Sequence, residues 1–355
     1  MKHTIISLRL KLMTFFTVLL TVFCINAQTI KKESVLFNNS ISEDATFTVV
    51  SRILLAKEKP ISEIKFKKGI YHFYPDKGYE SFQYISNHGD LMVNTPFPIE
   101  GFKNLTIDGQ GSTFVFHGVM IPFLIEKSEN IIVKNITIDW SQAFHSEGGL
   151  IVANDQKNET FDMQISDEYP YEIRNGQLYF VKEYYEHNMG QTILYDPERS
   201  AIAFNTETYT SITTKGKSGV ANNIENITYK YIHDQRAPEY KNIGSESRIR
   251  VEQLKSGLVR VHGHKKKMPP VGMVLVMKGE QGFNRVSPAF KVSHTNGFNG
   301  TNINIHHAGG MGIIAENSSD LILDNFNITP PSNGRMVSTT ADATHFVGVS
   351  RESST

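Results

Sequence analysis

Five polar side chains towards the C-terminal end of the sequence are of the kinds that bind ligands or transfer protons: His307, Glu316, Arg335, Asp342 and His345. The forked guanidinium of Arg335 can hold a hydroxyl group or orient a carboxylate. The two histidines can donate hydrogen bonds to a polar ligand, and the two carboxyl groups can act as acids or bases. Four of them also have a structural interpretation: a loop or turn residue for Arg335 and Asp342, and a buried core residue for the histidines.

Neither the composition nor any motif indicates a cofactor. Cys24 is the only cysteine, which argues against a disulfide framework, a thiolate metal site and a cysteine nucleophile. No cluster of His, Asp and Glu has the spacing of metal ligands, and the segment Thr106–Gly111 is typical of a tight turn rather than of a nucleotide site. The formal net charge is 0, and Lys265–Lys267 is the only cationic run, so a nucleic-acid partner is not expected.

A short repeat predicts the elements that must position these residues. Each copy has an Asn, an apolar residue, a Thr or Asn, and then an Ile or Tyr, so that alternate side chains face opposite sides of a β-strand. The Asn before each strand suits a turn, because its side chain can bond local backbone and tolerates unusual dihedral angles. The first two copies begin 31 residues apart and the last two 23 residues apart, which is typical of a solenoid. The copies are Asn104–Ile107, Asn135–Ile138, Asn226–Tyr229, Asn302–Ile305 and Asn325–Ile328.

The sequence therefore predicts an all-β protein built as a parallel β-helix with antiparallel insertions. Short alternating segments bounded by Asn175-Gly176 and Asp196-Pro197 are typical of antiparallel hairpins. The predicted divisions after residue 27 are N-terminal coils at 28–140, a β-rich insertion at 141–215, a β-helix strand at 216–235, a second insertion at 236–291 and further coils at 292–355.

The first 27 residues are predicted to be a secretory signal peptide. Lys2, Arg9 and Lys11 give a basic start, the apolar run Leu12–Phe23 follows, and Ala27 occupies the predicted cleavage position. This run is shorter than the roughly 20 residues that span a bilayer, so no membrane span is predicted. The mature chain is expected to be periplasmic or secreted.

Several longer segments carry a resemblance to a known family. Ser128–Trp140, His307–Ile314 and Gly334–Phe346, together with Tyr71–Pro75, are similar to glycoside hydrolase family 110, whose members are exo-acting α-galactosidases that remove terminal α-1,3-linked galactose. The resemblance covers most of the mature chain and implies a right-handed parallel β-helix that carries β-barrel modules. It also implies an inverting hydrolase without a cofactor, whose partners are galactose-terminated oligosaccharides or glycoconjugates of the blood-group B type.

The resemblance assigns roles to individual residues. In the family, the Asp of the segment Thr340–Phe346 is a catalytic carboxylate, which is Asp342 here. The ring of Trp140 is a candidate platform for galactose, and the other candidate sugar contacts are Arg335, His345, His307 and Glu316. Inverting hydrolysis needs two carboxyl groups about 6.5–9.5 Å apart, and the adjacent aspartates found about one coil later in the family are absent before Thr355. A weak or inactive hydrolase is therefore expected.

Two other functions remain open on the sequence alone. A non-catalytic carbohydrate-binding β-helix fits the absent aspartates and would bind galactose without hydrolysing it. A polysaccharide lyase of the β-helix type would need a Ca²⁺ site of clustered aspartates and a basic residue, and the sequence contains no such cluster.

Overall fold

The structure, a computed structural model, describes residues 33–37, 44–59, 61–86, 89–203, 249–265, 267–279 and 285–354. The predicted signal peptide, with Cys24, and the repeat copy at 226–229 lie outside these ranges, as does the strand predicted at 216–235. The described residues form a nearly all-β fold with one α-helix, α1 (Thr46–Ala56), and a 3-10 turn at Pro75–Lys77. In chain order the strands are β1 (Glu33–Phe37), β2 (Ile61–Phe66), β3 (Ile70–Phe73), β4 (Tyr79–Ile85), β5 (Gly89–Thr95), β6 (Phe97–Glu100), β7 (Lys103–Phe116), β8 (Phe123–Glu126), β9 (Glu129–Trp140), β10 (Ser146–Asp155), β11 (Thr160–Gln164), β12 (Tyr171–Arg174), β13 (Gln177–Lys182), β14 (Tyr185–Asn188), β15 (Thr192–Asp196), β16 (Ala201–Ile202), β17 (Arg250–Lys255), β18 (Leu258–His262), β19 (Val274–Met277), β20 (Phe290–Ser293), β21 (Asn296–Ile305), β22 (Ile313–Glu316), β23 (Ser319–Ile328), β24 (Thr344–Val347) and β25 (Ser350–Ser354).

The chain alternates between two parallel sheets. The first has the strand order β1-β2-β7-β9-β21-β23-β25, with β3 also paired to β7, and the second has the order β24-β22-β20-β8-β6. Each strand of the second sheet is followed in sequence by a strand of the first, from β6–β7 to β24–β25. Apolar side chains fill the space between the sheets, where Phe97, Phe123 and Phe290 stack with ring centroids 4.3 and 4.6 Å apart. Each turn of chain thus stacks on the one before, as the repeat spacing predicts.

A long excursion of the chain interrupts this stack without disturbing it. β8 pairs with β20, Phe123 lying opposite Phe290, and β9 pairs with β21. Between them the chain builds an antiparallel sheet of order β16-β15-β19-β10-β11-β18-β17 and a three-stranded sheet β12-β13-β14, called the antiparallel module below. Both sheets share one hydrophobic core. Described strands from both predicted insertions, 141–215 and 236–291, therefore lie in one sheet, in which β10 and β15 both pair with β19.

The repeat asparagines form a ladder at one corner of the coils. Asn135, Asn302 and Asn325 have φ values of 58, 53 and 49°, in the left-handed region that asparagine tolerates better than most residues. Asn302 Nδ2 donates to Asn135 Oδ1 at 3.1 Å, and Asn325 Nδ2 donates to Asn302 Oδ1 at 2.8 Å. The unusual dihedral angles predicted for these residues are present, but the asparagines lie inside β9, β21 and β23 rather than before a strand. Their amides bond the neighbouring coils.

Replacing Asn302 by alanine should lower the free energy of unfolding by about 1–3 kcal/mol, because alanine is strained at this φ and the two amide hydrogen bonds are lost. Asn302→Gly removes the same hydrogen bonds but accepts the backbone angle, so it should cost less than alanine. Urea unfolding of the two variants and the parent chain measures the difference. An alanine variant as stable as the glycine variant would contradict the account of this corner.

A β-hairpin and the helix cover parts of the second parallel sheet. β4 and β5 pair antiparallel and place Ile85 and Val93 against the sheet residues Leu124 and Ile314. Ala341 borders the same apolar cluster. α1 packs against β6, the edge strand of the sheet. The hairpin thus contributes to the apolar cluster against which the residue before Asp342 packs.

Candidate active site

The loop at 329–343, called the site loop below, joins β23 to β24 and carries two of the predicted residues. Its backbone pairs with the connection between β21 and β22 in the preceding coil. Ala308 N donates to Ser338 O at 3.0 Å, and Ala341 N donates to Gly310 O at 3.1 Å. These backbone hydrogen bonds fix the conformation of the second half of the loop, independently of its side chains.

Asp342 lies at the end of the site loop, just before β24. Its main-chain carbonyl accepts a hydrogen bond from Gly312 N at 3.3 Å, which ties it to the start of β22. The side chain is 67% exposed, and its Oδ2 lies 3.3 Å from His345 Nδ1. The structure therefore brings Asp342 and His345 together as an open pair of groups that can exchange protons with a ligand.

Lys278 approaches the same point from the antiparallel module. It directly follows β19, and its Nζ donates to the main-chain carbonyl of Thr340 at 3.2 Å. The residue is only 8% exposed. Burial and the charge of Arg285 lower the pKa of Lys278 to about 8, and the negative charge of Asp342 opposes this shift. The parallel stack and the antiparallel module therefore meet at Asp342.

Glu147 of β10 is a buried carboxylate that holds the middle of the site loop. Its two oxygens accept hydrogen bonds from Met336 N and Val337 N, each at 2.8 Å, and Oε1 also lies 2.7 Å from His145 Nε2. Because a carboxylate only accepts, His145 carries its proton on Nε2. Burial raises the pKa of Glu147, but the hydrogen bond from His145 and those from the two amides outweigh it and hold the pKa below its usual value of 4.5. The ionised carboxylate thus clamps the loop to the module.

Arg335 belongs to a second clamp. Its Nη1 donates to Asp139 Oδ1 at 2.6 Å, and the side chain is 11% exposed. The guanidinium therefore orients a carboxylate, one of the two roles predicted for it. Arg335 also lines a cleft of about 570 Å³ together with Tyr169 and Lys182 of the antiparallel module.

Two of the residues that line this cleft, Tyr169 and Lys182, have shifted pKa values. Lys182 Nζ donates to the main-chain carbonyls of Ala143 and His145, each at 2.6 Å. Burial and the nearby charge of Arg335 lower the pKa of Lys182 to about 7, and burial raises the pKa of Tyr169. These two hydrogen bonds join β13 to the connection between β9 and β10.

Trp140 and His307 are core residues, which corrects their assignment as sugar contacts. Trp140 is 2% exposed, and its Nε1 donates to Gly118 O at 3.0 Å. His307 is fully buried, with its ring edge-on to that of Trp140 at a centroid distance of 5.8 Å. Neither ring has a face open to a ligand. Each lies two residues after a buried strand residue, Ile138 or Ile305, and so faces the inside of the coil.

Glu316 is not brought to Asp342. The main chain of Asp342 bonds to Gly312 at the start of β22, whereas Glu316 is the last residue of that strand. Four residues of extended chain cover about 13 Å, which exceeds the roughly 6.5–9.5 Å between the carboxyl groups of an inverting glycosidase. Glu316 is also only 8% exposed. It is therefore a poor partner for Asp342.

Sequence reasoning missed Glu147 and Lys278. Glu147 acts on residues 189 and 190 positions away, and Lys278 on one 62 positions away. No local pattern marks either residue, because both roles arise from contacts between the antiparallel module and the site loop.

Within the ranges that the structure describes, no group of three or more His, Cys, Asp or Glu side chains is arranged to hold a metal ion. The same ranges contain no helix that is both long and apolar enough to cross a bilayer.

Comparisons with known proteins agree with this layout. Residues 147–275 match the family model described as GLAA-B beta-barrel domain I, which coincides with most of the antiparallel module. The chain is 34% identical over 307 residues to alpha-1,3-galactosidase A of Shewanella woodyi, covering 86% of this chain and 44% of the relative. It is 29% identical over 286 residues to alpha-1,3-galactosidase B of Parabacteroides distasonis, covering 80% and 40%. The alpha-1,3-galactosidase B of Bacteroides thetaiotaomicron is 26% identical over 338 residues, covering 92% and 48%.

The chain thus spans less than half the length of these relatives. Among solved structures, the Gp54 tailspike of Acinetobacter baumannii bacteriophage AP22 aligns with 87% of this chain and 44% of its own at 10% identity. The TM-score of that alignment is 0.17, too low to carry an argument.

Proposed function

We propose that the chain acts as an exo-acting, inverting glycoside hydrolase that releases terminal α-1,3-linked galactose. The premise is that it is a homologue of the alpha-1,3-galactosidases A and B over most of its length. The observation that carries the proposal is the exposed carboxylate of Asp342, held beside His345 and close to Lys278 on a loop with a fixed backbone. The substrates are galactose-terminated oligosaccharides or glycoconjugates.

Inverting hydrolysis is a single displacement at the anomeric carbon. One carboxyl group protonates the glycosidic oxygen while a second, as carboxylate, takes a proton from the water that attacks the opposite face. Asp342 is proposed as one of the two, since its exposure lets a terminal sugar reach it. Glu147 is committed to the site loop and Glu316 lies too far along its strand, so neither is proposed as the second. By the family resemblance, the second carboxyl group belongs to adjacent aspartates about one coil after Asp342, and the residues up to Thr355 do not contain them. A low rate of galactose release is therefore part of the proposal.

The proposal includes a right-handed parallel β-helix for the stacked coils. Its support is the regular alternation between two parallel sheets, because connections between parallel strands of one sheet are right-handed in about 98% of cases. It also includes export through the signal peptide predicted at residues 1–27, which cleavage at Ala27 on secretion would test.

A linkage comparison tests the proposed reaction. The full chain is incubated in parallel with galactose disaccharides joined by α-1,3, α-1,4 and α-1,6 bonds, and free galactose is measured over time. Release from the α-1,3 substrate alone is the expected result, and comparable release from all three would contradict the proposed linkage. Saturable binding of the α-1,3 disaccharide without any release would favour the non-catalytic carbohydrate-binding function instead.

A further inference from the structure

We propose that Lys278 of the antiparallel module is a substrate-binding residue, whose ammonium group donates a hydrogen bond to one hydroxyl of the sugar held beside Asp342. The inference rests on the proposed function and deepens it, because it gives the module a direct part in recognising a neutral, hydroxyl-rich terminal galactoside.

The position of Lys278 is the first support. Its Nζ is fixed at 3.2 Å from the carbonyl of Thr340, two residues before Asp342 in the site loop. The charge of Asp342 acts on it, yet the two groups do not form a direct ion pair in the structure. Asp342 is open to solvent while Lys278 is buried. A sugar that reaches the Asp342 carboxylate therefore arrives next to a fixed cationic donor.

The donor capacity of Lys278 is the second support. An ammonium group has three N–H donors, and the Nζ of Lys278 has one hydrogen-bond acceptor among the described residues, the carbonyl of Thr340. Two donors are left for a ligand. The nearby Arg285 is also cationic and adds no acceptor.

The energetic balance is the third support. Burying an ammonium group with one neutral acceptor is costly, and a well-packed apolar side chain is often as stable or more stable in such a place. Stability alone therefore gives no reason for a lysine here. Buried ionisable groups with a shifted pKa, adjacent to an open carboxylate, are found preferentially at sites of function.

The test is a thermodynamic cycle between one residue and one hydroxyl. Binding of methyl α-galactopyranoside and its singly deoxygenated analogues is measured by calorimetry for the full chain and for Lys278→Met. Lys278→Met should weaken binding of the parent sugar about 10- to 100-fold, as for loss of a hydrogen bond to a charged group. One deoxy analogue should lose a similar factor with the parent chain and be insensitive to Lys278→Met. Lys255→Met, on an exposed lysine of β17, is the matched control and should bind normally.

Each alternative outcome has a distinct meaning. If Lys278→Met binds the parent sugar as the unmodified chain does, the role of Lys278 is overturned and the proposed function stands. Equal losses for every deoxy analogue would overturn direct contact, since the lysine would then act only through the site loop. If the unmodified chain binds no galactoside, both the inference and the proposed function fail. Should the methionine variant not fold, the ¹³Cε resonance of Lys278 in the unmodified chain must shift on saturation with galactoside, and an unmoved resonance overturns the contact.

Discussion

Asp342→Asn should reduce the rate of galactose release by a factor of about 10²–10⁴, the contribution that general acid–base groups make in enzymes. The amide has nearly the size of the carboxylate but cannot exchange a proton in the same way. Because the side chain is 67% exposed and its one side-chain partner among the described residues is His345 at 3.3 Å, the substitution should leave the fold unchanged. The rate is measured with a Galα1-3Gal substrate, and the melting temperature of the variant is measured alongside.

Asp167→Asn is the matched control for this prediction. Asp167 is an exposed turn residue of the antiparallel module, so its variant should retain full activity. A variant of Asp342 that keeps the parental rate would remove this residue from the proposed mechanism, whatever the fold does.

Glu147→Ala should lower the free energy of unfolding by about 3–5 kcal/mol, the usual cost of removing one partner from a buried charged network. Three donors lose their acceptor: the amides of Met336 and Val337 and the Nε2 of His145. Denaturant unfolding measures the loss of stability. Hydrogen exchange should show faster exchange of the two amides even under conditions where the variant is folded.

Because Glu147 holds the site loop as a carboxylate, we expect the free energy of unfolding to depend on pH. The pKa of Glu147 is lowered in the folded chain, so its contribution to stability is complete above about pH 4.5 and is lost as the pH falls through the lower folded value. The alanine variant should lack this part of the acid sensitivity. Glu172→Ala, at an exposed residue paired with Arg174, should change stability by no more than about 1 kcal/mol. Equal stability for the two variants would show that Glu147 does not hold the loop.

The parallel sheets could be predicted from the sequence mainly because of the Asn-containing repeat. Asn135, Asn302 and Asn325 mark a corner because few residues accept a positive φ, and their spacing follows the coil. The same alternation would have placed Trp140 and His307 inside, since each continues the buried face of Ile138 or Ile305.

The strand order of the antiparallel module could not be predicted from sequence periodicity. β10 pairs with β19 although more than 100 residues separate them, and such long-range pairings leave no trace in local periodicity. For the same reason the sequence identified Asp342 through a family resemblance but did not identify Glu147 and Lys278, which reach the site loop from the module.

The most direct test of the central claim is proton NMR of the full chain with Galα1-3Gal, following the first-formed anomer of released galactose. β-Galactose is the expected first-formed anomer, at the low rate expected of this chain, because attack by water on the opposite face inverts the anomeric carbon. First-formed α-galactose would contradict the inverting mechanism, and an absence of both release and binding would contradict the proposed function itself.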